Sequence, residues 1–95
     1  MYQKVKSKYS PLQTQEWTVA AMVVLSESQE ALTCEQIRMS DLGLVDVTPQ
    51  KMSRILATLA EDGFIVKSKG KDGKMRYKSV GVLLEQGYDL KTMVF

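Results

Sequence analysis

The 95-residue sequence contains no histidine and only one cysteine, Cys34. Without histidine there is no Ser-His-Asp or Cys-His catalytic arrangement, and most zinc sites are excluded. A single cysteine forms no internal disulfide and supplies no cluster of metal ligands. A phosphate-cradling loop of the GxxxxGK[ST] type is also absent. The sequence therefore predicts a protein that is not an enzyme, with no cofactor and no bound metal.

Long hydrophobic runs are missing as well. The longest apolar stretch, residues 19–25, has seven residues, whereas a membrane-spanning helix needs about 20. No charged-then-apolar export signal with a small-residue cleavage site is recognisable. The composition, 44% hydrophobic and 25% charged, is typical of a globular protein. These features predict one cytoplasmic domain without a membrane partner.

Positive charge is unevenly distributed, although the net charge is only +2. Residues 1–10 carry three lysines and no acid, and residues 11–63 carry more acidic than basic side chains. Residues 64–78 contain one acid and six bases, namely Lys67, Lys69, Lys71, Lys74, Arg76 and Lys78. Such asymmetry is typical of a protein with a polyanionic partner. We interpret residues 1–10 as a basic arm and residues 11–95 as the domain.

Capping signals predict three helices in residues 10–63. Ser10-Pro11 starts the first helix, which ends near Ser28, and Trp17 is expected in the core. Thr33, with Gln36 completing a capping box, starts a short helix that ends near Ser40. After a connector at residues 41–47, Thr48-Pro49 starts a third helix that ends at Gly63. An apolar stripe runs along one face of this helix through Met52, Ile55, Leu56 and Leu59.

A β-hairpin and a last helix follow. Residues 64–69 and 75–82 read as strands around the Gly/Asp turn 70–73. Alternation predicts Lys67 and Lys69 on one side of the first strand, with Lys71 beside them if the strand extends that far. It likewise predicts Lys74, Arg76 and Lys78 on one side of the second strand. Residues 83–90 predict a short helix. The predicted fold class is α+β, a winged helix-turn-helix with a three-helix core, a C-terminal hairpin wing and a short last helix.

Residues 52–65 resemble the recognition-helix-to-wing segment of MarR-type winged-helix regulators. The resemblance rests on the Ser53-Arg54 pair, spaced leucines, the Asp62-Gly63 turn and the pair Phe64-Ile65. Residues 72 and 76 are similar to the Asp and Arg of that family's wing tip, at a longer spacing. The resemblance implies duplex DNA binding, with the third helix in the major groove and Ser53 and Arg54 contacting the groove or phosphates.

The residues expected to contact DNA lie on two elements. On the third helix they are the polar side chains off the apolar stripe: Thr48, Gln50, Lys51, Ser53, Arg54 and Thr58. Glutamine and arginine can pair with adenine and guanine edges. On the hairpin they are Lys67, Lys69, Lys71, Lys74 and Arg76; lysines favour phosphates and arginine suits a narrow minor groove. The sequence predicts a transcriptional regulator that binds double-stranded DNA and no small-molecule ligand.

Several alternatives stay open at this stage. A winged helix also serves as a protein–protein adaptor, and hairpin lysines also protect an edge strand from aggregation. Cys34 suits a buried apolar position better than a redox sensor, although a helix start lowers a thiol pKa. Apolar residues at both ends of the chain either pack within the protomer or form the seam of a homodimer.

Overall fold

The computed structural model describes residues 11–41 and 43–89, which form helices and one antiparallel sheet. The predicted basic arm and the end of the chain lie outside these residues. The elements are α1 (Pro11–Ser26), β1 (Leu32–Thr33), α2 (Cys34–Met39), α3 (Pro49–Glu61), β2 (Ile65–Lys69), β3 (Met75–Ser79) and α4 (Val80–Glu85). This arrangement confirms the α+β class. None of the described helices combines the length and apolarity that crossing a bilayer requires.

The predicted caps of α2 and α3 are formed. The Thr33 hydroxyl accepts a hydrogen bond from the Gln36 amide (3.2 Å), and the Gln36 side-chain oxygen accepts one from the Thr33 amide (2.8 Å). The Thr48 hydroxyl accepts a hydrogen bond from the Lys51 amide (3.1 Å). Gly63, with φ of 85°, follows the end of α3 in the left-handed conformation that glycine adopts most easily.

The sheet has the strand order β1-β3-β2, and β1 was not predicted from the sequence. The predicted second strand is too long, because β3 ends at Ser79 and α4 begins at Val80 rather than at Leu83. Neighbouring residues of a strand point to opposite faces. Val82 and Leu83 are neighbours and both are buried, so a helical turn satisfies this segment better than a strand does.

The core lies between α1, α3 and one face of the sheet. Trp17 is 9% exposed, which confirms its predicted place in the core. The predicted apolar stripe of α3 is also confirmed, since each of its four residues is at most 3% exposed. Removal of this apolar surface from water is the main force that holds the helices against the sheet. The other members include Ala21, Leu25, Ile37, Leu44, Val47, Ile65 and Tyr77.

The connector between α2 and α3 is anchored at two points. Leu44 and Val47 are fully buried. The Arg38 guanidinium donates to the carbonyl oxygens of Val47 (Nε, 2.6 Å) and Val45 (Nη2, 3.4 Å). Hydrogen bonds to a charged donor are among the stronger ones in proteins. Because Val47 directly precedes Thr48, this contact fixes where α3 begins.

Candidate functional site

The face of α3 opposite the core is polar and exposed. The buried residues of α3 define one side of the helix. With 100° between successive residues, Gln50, Arg54, Ala57 and Glu61 project from the opposite side, and all four are exposed. We call Gln50, Arg54 and Ala57 the outward stripe of α3. Basic and neutral side chains occupy its first two turns, and the acidic Glu61 follows at its end.

Three of the predicted contact residues lie beside this stripe. Thr48 caps α3 through its hydroxyl, so its side chain already has a structural role. Lys51 is half-buried on the flank of the helix, and Thr58 is exposed on the same flank. Gln50 and Arg54 are therefore more exposed than Lys51, and unlike Thr48 they have no capping role.

Ser53 faces a cleft between the helices and the hairpin. This cleft has a volume of about 340 Å³ and is lined by Thr33, Cys34, Glu35, Arg38, Pro49, Ser53, Lys74, Met75 and Tyr77. Cys34 of α2 lines this cleft together with Ser53. Ser53 is thus directed toward α2 and β3, at about 60° around α3 from Gln50.

Cys34 stands at the start of α2 and lines the same cleft. Burial raises the pKa of its thiol, and the neighbouring Ser53 side chain offsets only part of this increase. The thiol lies 4.0 Å from the carbonyl oxygen of Pro49. Burial also raises the pKa of the neighbouring Tyr77 hydroxyl. This environment favours the protonated thiol, which is the unreactive form.

The register of the hairpin separates its basic side chains between two faces. Lys67 lies opposite Tyr77, and Lys69 lies opposite Met75. Residues directly opposite each other in an antiparallel pair share a face, so these lysines lie on the face that carries the core residue Tyr77. Arg76 pairs with Ser68 and therefore lies on the other face. Lys69 is on the cleft side of the hairpin, because Met75 lines the cleft.

The predicted side of Lys74 needs correction, and the first strand does not extend to Lys71. Lys71 and Lys74 lie in the turn, outside β2 and β3, where the alternation of a strand does not apply. Arg76 and Lys78 do share a face, but Lys78 is only 7% exposed and so is closed to a large partner. The exposed lysines of the hairpin are Lys67, Lys69, Lys71 and Lys74.

The tip of the hairpin is closed by an ion pair. The guanidinium of Arg76 donates to both carboxylate oxygens of Asp72, at 2.9 and 3.0 Å. Asp72 also accepts a hydrogen bond from the Lys74 amide at 3.1 Å. A Cβ at residue 70 would collide with this guanidinium, so a larger residue there would require the Arg76 side chain to shift. These contacts define the shape of the turn that presents Lys71 and Lys74.

The helix α3 and the hairpin are neighbours in space. Pro49 and Ser53 of α3 line the cleft on one side, and Lys74 and Met75 line it on the other. The outward stripe of α3 and the exposed lysines therefore belong to adjoining elements. The cleft itself was not predicted, because it depends on β1, which has only two residues and no recognisable sequence pattern.

The chain matches no protein-family model, and no curated protein matches it significantly. The similarity to MarR-type regulators therefore rests on the residues quoted above and stays a prediction.

Proposed function

We propose that this protein is a winged helix-turn-helix DNA-binding protein that acts as a transcriptional regulator. In this proposal α3 enters the major groove of duplex DNA, and the β2–β3 hairpin is the wing that lies along the adjacent backbone. One observation carries the proposal: Pro49 and Ser53 of α3 line the same cleft as Lys74 and Met75 of the hairpin, so the start of α3 and the tip of the hairpin are close together. This proximity supports the proposal that α3 and the cationic hairpin contact one duplex.

The dimensions of α3 suit this role. The major groove is about 12 Å wide and admits one α-helix. The 13 residues of α3 carry their bulky apolar side chains on the core side, so the outward side is free of large hydrophobic groups. The cations Lys51 and Arg54 lie in the first half of the helix, and the acids Glu61 and Asp62 lie at its end. This distribution of charge favours insertion of the N-terminal half of α3 into the groove. The helix dipole also favours a phosphate at that end.

The wing supplies charge rather than base recognition. Lysine binds phosphate with little information about sequence. Lys69 lies on the cleft side, and Lys71 and Lys74 surround the tip. Four exposed lysines within eight residues exceed what protection of the β2 edge needs.

Charge reversal in the wing tests the proposal. The triple variant Lys69→Glu, Lys71→Glu, Lys74→Glu is expected to abolish binding to mixed duplex DNA in a fluorescence anisotropy titration. The matched control reverses the three lysines of the N-terminal segment, Lys4, Lys6 and Lys8, and so has the same net charge. The control is expected to retain most of the binding. Equal losses in both variants would show that binding reflects overall charge and not this site.

A protein–protein adaptor is the second candidate. It is favoured by an apolar surface on the side of Met22, where Phe64 is 50% and Leu84 is 46% exposed. These three residues line a second cleft of about 260 Å³. An adaptor has no need of the wing lysines, so it predicts that the triple wing variant keeps its protein partner, while the wild type binds no duplex.

A further inference from the structure

The residues of the outward stripe of α3 are spaced so that they can contact successive base pairs. Gln50, Arg54 and Ala57 are at positions i, i+4 and i+7 of the helix and lie within about 60° of arc. With a rise of 1.5 Å per residue, the second and third residues follow the first by about 6 and 10.5 Å. Base pairs are 3.4 Å apart along one strand. The stripe therefore covers about three base-pair steps.

Gln50 and Arg54 are, with Glu61, the exposed polar side chains of this helix face. No side-chain hydrogen bond or ion pair joins either Gln50 or Arg54 to another residue among 11–41 and 43–89. By contrast, the Thr48 hydroxyl caps α3, and Ser53 lines the cleft beside α2 and β3. Of the six helix residues expected to contact DNA, Gln50 and Arg54 are the two that lie on the outward stripe.

Ala57 extends this pair, and sequence reasoning missed it because alanine is neither charged nor polar. It is exposed in the middle of α3, one turn beyond Arg54 on the same side. An exposed methyl group in the major groove can contact the C5-methyl of thymine. Glu61 continues the stripe by one more turn, and its carboxylate would approach phosphates of like charge. Recognition is therefore expected to end at Ala57.

We propose, on the basis of the proposed DNA-binding function, that Gln50, Arg54 and Ala57 determine the base preference of this protein. Gln50 forms two hydrogen bonds to adenine, and Arg54 forms two to guanine. The Ala57 methyl packs against a thymine methyl. The preferred half-site contains an A·T pair, a G·C pair about two steps away, and a thymine one step beyond. Ser53 and Thr48 position the helix and read no base.

Two experiments test this assignment. The protein first selects its preferred sequence from a pool of random DNA duplexes, and the affinity of each variant for the selected duplex is then measured by titration. Gln50→Ala is expected to bind the selected duplex about 5- to 150-fold more weakly. It is expected to lose the preference for adenine and to keep the preferences at the other two positions. Arg54→Lys is expected to lose the guanine preference while it keeps the salt dependence, because the charge stays but the two-point contact does not. Replacement of the thymine by deoxyuridine is expected to weaken wild-type binding roughly fourfold and to leave Ala57→Gly unaffected.

The control variant Glu85→Gln, at an exposed position of α4, is expected to keep the wild-type preference. Circular dichroism melting of each variant confirms that it is folded before its binding is compared. Two results would overturn this assignment while the proposed function stands. The first is salt-dependent duplex binding without any base preference, and the second is a base preference that Gln50→Ala and Arg54→Lys leave unchanged. If the wild type binds no duplex even at low salt, the proposed function fails and the assignment fails with it.

Discussion

Asp72 holds Arg76 across the hairpin tip in a two-point ion pair, with Nη1–Oδ1 and Nη2–Oδ2 distances of 2.9 and 3.0 Å. The planar fork of a guanidinium matches a carboxylate in this geometry. Both terminal nitrogens are engaged, so Arg76 acts first on the shape of the hairpin. The predicted insertion of Arg76 into a minor groove would require this pair to open.

The pH dependence of the tip follows from this pair. The Arg76 guanidinium, together with the Lys74 amide, holds the pKa of Asp72 well below its usual range. A carboxylate with a depressed folded-state pKa stabilises the fold above its unfolded pKa of about 3.9 and loses this contribution as the pH falls toward the folded value. We expect an NMR titration to show Asp72 still ionised at about pH 3, and Arg76→Gln to move its midpoint upward. A wild-type midpoint close to the unfolded value would contradict the ion pair.

Removal of the α3 cap is expected to destabilise the protein. Thr48→Ala deletes the hydroxyl that accepts from the Lys51 amide, and loss of such a cap costs about 1 kcal/mol. Urea unfolding measures this change. The control Thr58→Ala lies exposed within α3 and is expected to leave stability unchanged or slightly higher, because alanine favours a helix more than threonine does. Equal effects of the two substitutions would refute the cap.

Replacement of Arg38 is expected to lower the free energy of unfolding, because its side chain holds the connector between α2 and α3. Arg38→Ala leaves the carbonyl of Val47 without its charged donor, at a cost of about 1–3 kcal/mol. Arg54→Ala, at an exposed position, is the matched control and is expected to change stability by less than about 0.5 kcal/mol. The difference in unfolding free energy between the two variants measures the anchor, and a difference near zero contradicts it.

Cys34 is expected to react slowly with thiol reagents. Burial raises the pKa of its thiol, and the thiolate is the reactive form. The rate of reaction with an aromatic disulfide at pH 7 should therefore be below that of an unstructured cysteine peptide, and it should rise to that of the peptide in denaturant. A native rate above that of the peptide would restore the redox-sensor interpretation.

Local sequence signals predicted much of this fold, because helix caps and apolar stripes depend on near neighbours. Thr33 with Gln36 and Thr48 with Pro49 marked the starts of α2 and α3 correctly. The stripe from Met52 to Leu59 identified the buried face of α3. The error at the end of β3 arose because the apolar run after Ser79 fits a strand or a short helix equally well, and burial of Val82 and Leu83 decides between them.

The parts that were missed depend on contacts between distant segments. Strand β1 has two residues, Leu32 and Thr33, and exists because β3 provides a partner. The division of the basic residues between two faces depends on the pairing register, in which Lys67 opposes Tyr77. The contact of Arg38 with Val47 joins residues nine positions apart across an irregular connector. No pattern in the sequence specifies these three features.

The salt dependence of duplex DNA binding tests the central claim most directly. Contacts from Lys67, Lys69, Lys71 and Lys74 to four phosphates predict that log K falls with log[salt] with a slope of about −3.6. An anisotropy titration of the wild type at several salt concentrations yields this slope. A measured slope between about −3 and −5 agrees with the proposed interface. Absence of binding at low salt, or a slope near zero, contradicts it.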